Sequence, residues 1–525
     1  MTIDASLTGL ARPQPRGVVV RELQARSRKR LQSLPEPQAV ALLEDLLYQE
    51  RKRLERAKPE PELEHHLDEL AKALVRGSHE ERLASGMGVI GLWADEIHGR
   101  FNPRVYRLAT RALPRALTGL LSGRPDRMRD WSLSSQQRLK VKGDLPLLKQ
   151  LARESTLVLA PTHVSNLDSP LIGLALYLAG LPPFVYGAGL NLFSNPVVGW
   201  WLGRLGAYTV DRTKRARLYK DVLKDYSVRC LTTRHHSLFF PGGTRSRSHE
   251  VEPHIKKGLL GTAAVAWQEM LEAGRPDSEV YVVPLTLSFT LTLEAATLIE
   301  DHLADAGKQR YIITDDEFAQ PRRLAAFARR VLDLDSAMVA HFGDPVDVLG
   351  FPVSADPEER RQQAEHRRRY VTDARGRVEF DPQRDRIYTD RLGESLIDAW
   401  PRYAEVLPTH LAAWAAWRCL EEQARTTDPF RLVRLAAEQR RIDRSTYEAQ
   451  LRRSLDRVRR GAAEGRWQEA LPAEPSTILD QALDRFARYH RSRALCLDGG
   501  QVFVQDPKLC LYYRNRLTFM DRGAK

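Results

Sequence analysis

Between about Leu139 and Val348 short apolar runs alternate with segments of helical spacing, and this alternation constrains the fold more than any other feature of the chain. LVLA, PFVYGAG, GAYTV, HSLFFP, EVYVVPLTLSF and AMVAHFG have the length and apolar content of buried strands, with room for helices between them. Strands that alternate with helices bury both faces of their sheet. The expectation is an α/β domain over 139–350, with a central mixed sheet flanked by helices.

The flanks read as helical. Residues 1–138 form a helical amino-terminal region, in which Ala41 to Arg56 carries Leu42, Leu43, Leu46, Leu47 and Leu54 at helical spacing. Residues 351–525 form a mainly helical carboxy-terminal region ending in a β-hairpin, ALCLDGGQVFVQ, that turns at Asp498, Gly499 and Gly500. Gly86, Gly88 and Gly91 match the G-x-G-x-x-G pattern of dinucleotide sites, but helix-like HEERLA precedes them where a strand is required. They are therefore read as a loop or as close helix packing.

The chain of 525 residues has 42% hydrophobic content, ordinary for a globular protein of two or three domains, and Lys+Arg exceed Asp+Glu by 81 − 68 = 13. That excess favours an anionic partner: nucleic acid, a phospholipid surface, or a phosphorylated or CoA-type substrate. Acidic residues interrupt the Arg-rich run after Pro352, which argues against a nucleic-acid stripe. Arg100, Arg104, Arg107, Arg111 and Arg115 share one face of a helix expected at 100–121, beside an apolar face, as in a helix lying on an anionic membrane. The same pattern fits a helix packed on the core with solvated arginines.

The start MTIDASLTGLARPQPRG lacks the pattern of a secretory signal, and Cys230, Cys419, Cys496 and Cys510 are scattered without a Cys-x-x-Cys pair, which suits a reducing cytoplasm. The uncharged stretch Ser169 to Gly203 is divided by prolines into pieces too short to span a bilayer. The expected location is the cytoplasmic side of a membrane, peripheral or monotopic.

Chemistry concentrates in LVLAPTHVSNLD. A short strand stopped by Pro161 delivers His163, and Asp168 opens a helix. A neutral imidazole accepts a hydroxyl proton, and a carboxylate on its other nitrogen fixes the tautomer and stabilises the imidazolium. The alternative is a capping aspartate beside a turn histidine. No nucleophile is evident. Farther on, FFPGGTRSRS crowds Gly243, Thr244, Arg245, Ser246 and Arg247 into one turn after a strand, a composition suited to phosphate. AYTV delivers Arg212 to a strand end, and VVPLTLSF ends a strand run around Pro284. His249, Glu250 and His254 suggest zinc, but the histidines are five apart with Pro253 between, unlike His-Glu-x-x-His; no metal site is expected.

In order and spacing, THVSNLD, GAYTVDR, FPGGTRSR and VPLTLSF resemble the four blocks of the glycerolipid acyltransferase superfamily. The stretches LYKDVLKDYSVRCLTTRHHSLFFPGGTRSR, LTLEAATLIEDHL, THLAAWAA and LYYRNRL sharpen the likeness toward glycerol-3-phosphate acyltransferases of the bacterial membrane type. The resemblance implies transfer of a fatty acyl group from acyl-CoA or an acyl carrier protein thioester to the sn-1 hydroxyl of glycerol 3-phosphate. His163 would be the general base and Asp168 its orienter. Arg212, Gly243, Thr244, Arg245, Ser246, Arg247 and Pro284 would form the substrate site. No cofactor is implied beyond the thioester co-substrate, whose thiolate leaves readily enough to need neither metal nor acyl-enzyme. An anionic phospholipid surface is the expected partner, and nucleic acid is not. The chain departs from the family at Gly242, where a glutamate is usual. That departure opens lysophosphatidate or dihydroxyacetone phosphate as alternative acceptors. From another class, a basic membrane- or RNA-binding adaptor without catalysis accounts for the charge alone.

Overall fold

The computed structural model describes residues 15–109, 139–193, 196–275, 278–306 and 338–522. Four helices come first: α1 (Arg16–Gln32), α2 (Glu36–Leu54), α3 (Pro61–Arg76) and α4 (His79–Ile97). Their apolar stripes meet in a core that includes Leu23, Leu43, Leu67 and Trp93. Ser78 and Glu81 close a reciprocal capping box at the start of α4, satisfying amide groups the helix itself cannot. Gly86, Gly88 and Gly91 all lie inside α4, where a Cβ would come within 2.5–2.7 Å of Leu43, His66 and Gln24 respectively. These glycines let three neighbouring helices approach closely and form no nucleotide loop.

Residues 103–109 are helical, with Arg104, Arg107 and Leu108 exposed. The remainder of the helix expected at 100–121, with Arg111 and Arg115, lies outside the described residues. Among the described residues no helix is long and apolar enough to cross a membrane.

The apolar runs build one sheet of β1 (Leu139–Lys142), β2 (Thr156–Pro161), β3 (Val185–Gly189), β4 (Ala207–Val210), β5 (Ser237–Leu238), β6 (Val280–Phe289), β7 (Met338–Phe342) and β8 (Val346–Asp347). Its order is β1-β7-β6-β2-β5-β3-β4, with β8 also on β6. Pairing from β6 through β2, β5 and β3 to β4 is parallel, whereas β7 and β8 run antiparallel to β6, so the sheet is mixed. Helices α5 (Leu145–Glu154), α6 (Asp168–Ala179), α7 (Arg217–Thr232), α8 (Lys257–Glu272) and α9 (Ala295–Ala306) provide the connections.

Pro284 lies inside β6, paired with Ala160 of β2, and its carbonyl accepts from Gly343 N at 2.8 Å. A strand residue directs its nitrogen and its carbonyl to the same side, so the missing N–H of Pro284 faces the gap between β7 and β8. The proline therefore leaves its pair with Gly343 one bond instead of two, just beyond the end of β7, where the loss of a ladder bond is tolerated.

Of the carboxy-terminal helices α10 (Pro382–Arg402), α11 (Pro408–Ala424), α12 (Arg444–Ala463), α13 (Pro475–Phe486) and α14 (Pro507–Asn515), α10 packs on β6 and α8, α14 packs on α9, and α11 packs against α12, α13 and α14. One contiguous buried core runs from Leu139 to Met520, so residues on either side of 350/351 share it. Trp400 of α10 donates from its indole to Ala160 O at 3.0 Å, tying this region to the end of β2. Cys496–Asp498 pairs antiparallel with Gln501–Phe503, and Gly499 and Gly500 turn the hairpin at positive φ. The amino-terminal helices dock on α7 and α8, where Arg30 meets Asp225 at 2.6 Å and Arg26 meets Glu269 at 2.7 Å.

Candidate active site

His163 stands just past the carboxyl end of β2, where the chain leaves the sheet and ligands of parallel α/β sheets bind. Its Nδ1 lies 2.7 Å from Asp168 Oδ2. That oxygen also accepts from the backbone N–H of Val164 at 2.6 Å and of Ser165 at 3.0 Å. Three donors on one oxygen suit an ionised carboxylate, and a carboxylate partner fixes the proton on Nδ1 and leaves Nε2 as the basic nitrogen. Asp168 is no helix cap. Leu167 occupies the N-cap position without a side-chain bond, and Asp168, in the first turn of α6, reaches back to the preceding loop.

The imidazole is held on a second side by Phe240, stacked at 4.1 Å between ring centres with planes 25° apart. Asp168 is fully buried, whereas the His163 side chain is 17% exposed. The main chain of His163 is clamped as well: its N–H donates to Glu252 Oε1 at 3.1 Å, and its carbonyl accepts from Ser246 N at 2.7 Å. The histidine loop and the FFPGGTRSRS loop are thereby one unit.

Arg212, at the end of β4, donates to Gly243 O at 3.0 Å, and Gly243 turns that loop at φ 75. Arg245 donates to Glu294 Oε1 at 3.3 Å. Thr244 is exposed, whereas Ser246 Oγ donates to Glu250 O at 2.9 Å. Arg247 points away to pair with Asp305 of α9. Arg212, Gly243 and Arg245 are therefore gathered beside His163, and Pro284 remains buried in the sheet.

Three charged residues of the site escape the reading of the sequence. Glu294 is 1% exposed and accepts from Ser165 Oγ at 2.8 Å and Asn166 N at 2.9 Å. Burial pushes its carboxyl up, opposed by Asn166 N–H, Arg245 and Ser165. Glu252, 7% exposed, is pushed up to about 7, chiefly by burial, with Asp168 adding and the His163 N–H and Arg516 opposing. Arg516 is 1% exposed and donates to Leu287 O at 2.6 Å; burial pushes it down to about 10 despite Tyr512, Glu252 and Asp168 nearby. It is the buried cation behind two carboxylates. A lone acid inside the apolar LTLEAATL signals burial, but no local pattern names its partners.

The carboxy-terminal segment also braces the end of the FFPGGTRSRS loop. Asn515 donates to Ser248 O at 3.1 Å, and His249 stacks on Tyr512 at 4.3 Å with its Nδ1 3.2 Å from Tyr512 O. His249 is thus a packing residue, and among the described residues no three His, Cys, Asp or Glu side chains gather to hold a metal.

A family model described as Acyltransferase matches residues 141–288, which run from β1 almost to the end of β6 and include both loops of the site. The chain carries an acyltransferase domain. The chain is similar to the glycerol-3-phosphate acyltransferase of Pseudomonas fluorescens (strain Pf0-1), 27% identical over 270 residues, which are 51% of this chain and 29% of that protein. The glycerol-3-phosphate acyltransferase of Pseudomonas putida (strain W619) is 28% identical over 259 residues, 49% of this chain and 28% of the relative. The chain thus spans under a third of the length of the curated relatives it matches. Among solved structures it is similar to the 1-acyl-sn-glycerophosphate (LPA) acyltransferase of Thermotoga maritima, 16% identical with a TM-score of 0.25, over 50% of this chain and 78% of that one. Within the acyltransferase domain, His163, Asp168, Arg212, Arg245 and Glu252 all fall inside the matched residues, whereas Glu294 and Arg516 reach the site from beyond it.

Proposed function

We propose that the protein transfers a fatty acyl group from acyl-CoA or an acyl carrier protein thioester to the sn-1 hydroxyl of glycerol 3-phosphate. The observation that carries this reading is the His163–Asp168 bond, with the histidine side chain part-exposed beside an arginine-bearing loop. His163 Nε2 takes the hydroxyl proton as the acceptor oxygen bonds to the thioester carbonyl carbon, and Asp168 stabilises the imidazolium that results. Collapse of the tetrahedral intermediate breaks the C–S bond, and the proton passes from the imidazolium to the departing thiolate. The products are lysophosphatidate and a free thiol.

Arg212 and Arg245 hold the acceptor phosphate, with Gly243 and Thr244 at the loop surface. Ser246 ties the loop to itself, and Arg247 joins the phosphate site once it leaves Asp305. The backbone donors of Val164, Ser165 and Asn166 face Asp168 and Glu294, so they build the loop and do not cradle an oxyanion.

Purified protein given palmitoyl thioester with labelled glycerol 3-phosphate, dihydroxyacetone phosphate or lysophosphatidate tests the reading. Label moving from glycerol 3-phosphate into lysophosphatidate is expected. Turnover of one of the other acceptors alone would reassign the step, and no turnover of any would leave the adaptor reading.

The surface beside β3 and β4 suits the interface of an anionic bilayer. Leu190, Trp200 and Trp201 are 44%, 46% and 37% exposed, and the Arg204 guanidinium sits 4.1 Å from the Trp200 ring centre. Arg204 O also accepts from Asn102 N, which brings the start of the basic segment alongside. Changing both tryptophans to serine is expected to weaken partition onto phosphatidylglycerol vesicles about tenfold or more, from the apolar area withdrawn. Unchanged flotation with vesicles would remove this surface from consideration.

A further inference from the structure

Gly242 and Gly243 are adjacent, yet only Gly243 needs glycine for its backbone. Gly243 lies at φ 75, whereas Gly242 lies outside the left-handed region, in a conformation open to any L-residue. What excludes a side chain at 242 is a neighbour. A Cβ there would stand 2.6 Å from Glu252 Oε2 and 2.9 Å from Oε1, closer than real Cβ contacts come. The same Oε1 accepts the N–H of His163. Glu252 therefore reaches back ten residues to fill the space beside Gly242 and ends on the backbone of the proposed base.

We propose that Glu252 is the positioning carboxyl of this site, delivered from the segment before α8 into the place a side chain at 242 would take, so that the two positions are exchangeable. The inference rests on the acyl-transfer reading only for the use of the His163 turn. The chemistry of the exchange is simple. Position 242 is within a glutamate side chain's length of the Glu252 oxygens, and either residue then presents a carboxyl oxygen to the His163 N–H. A side chain at 242 and the Glu252 carboxyl compete for one space, so one of them must move aside. Around Glu252 stand His163 from the β2–α6 loop, Asp168 from the first turn of α6 and Arg516 beyond α14, and Lys256 of its own segment lies against Gly243.

A cycle of four proteins tests it by both turnover and thermal unfolding: wild type, Glu252→Ala, Gly242→Glu and the double variant. Glu252→Ala frees the His163 N–H and is expected to lower kcat about tenfold with little change in acceptor KM, and Glu252→Gln to recover most of that loss. Gly242→Glu alone drives one carboxylate into another and is expected to lower both kcat and Tm further. The double variant is expected to exceed Gly242→Glu in both measures and Glu252→Ala in kcat. Losses that simply add, in Tm or in kcat, overturn the exchange. Tm reads the cycle without any turnover. Non-additive Tm values with no acyl transfer by wild type would sink the activity and keep the exchange.

A second readout is pH. A carboxyl at about 7 in the folded chain and 4.5 as the ordinary value keeps, between those pH values, a proton that the unfolded chain has lost. Stability contributed by this group therefore falls as pH rises through that window, and glutamine has no such loss. The Tm of Glu252→Gln relative to wild type is expected to rise between pH 5 and pH 8, and a flat difference would place Glu252 in solvent and refute its buried placement.

Discussion

His163→Ala is expected to lower acyl transfer by about 10²–10⁴-fold, the usual contribution of a positioned general base, while leaving the fold intact. The loop does not depend on the ring. Asp168 Oδ2 retains the N–H groups of Val164 and Ser165, and the His163 main chain retains Glu252 and Ser246. What is lost is the packing on Phe240 and one charge-assisted bond, on the order of 1–3 kcal/mol. Single-turnover rates at saturating thioester and acceptor, beside circular dichroism and unfolding curves, make the comparison. Turnover within threefold of wild type would remove His163 from the chemistry.

Asp168 separates two effects that the same site combines. Asp168→Asn keeps an acceptor oxygen where Oδ2 now receives three donors, and puts its amide at Oδ1, a buried atom with no partner among the described residues. The loop is expected to survive with a loss of about 1–3 kcal/mol for the unpartnered amide. The imidazolium loses its counter-charge, so kcat is expected to fall about 10²-fold or more. Asp168→Ala removes the acceptor altogether and leaves two backbone N–H groups and the ring unpaired under buried cover. Its larger damage is to folding, about 3–5 kcal/mol. Equal kcat losses at equal stability in the two variants would contradict the division between charge and scaffold.

Much of this architecture was legible in local pattern. Apolar runs between Leu157 and Phe342 have the length and apolar content of buried strands, and they became β2 to β7 of the mixed sheet. The His163–Asp168 pair was legible for the same local reason: five residues in one turn can close a single hydrogen bond. Gly86, Gly88 and Gly91 carry a motif whose letters are met, but the preceding helix decides the matter, and their lack of side chains serves packing against Leu43, His66 and Gln24.

The sequence by itself determined the strand and helix periods, the loop that carries His163, and the crowding of arginines after Pro241, since each depends on neighbours within a turn or two. Tertiary structure alone decided which charges share the site. Glu294 meets Asn166 across 128 positions, and Glu252 meets His163 across 89. Arg516 returns from the end of the described chain to stand behind Asp168 and Glu252. A buried charge persists only where opposite charge or N–H donors surround it, and those groups are assembled by the packing of the whole chain, not by spacing along it.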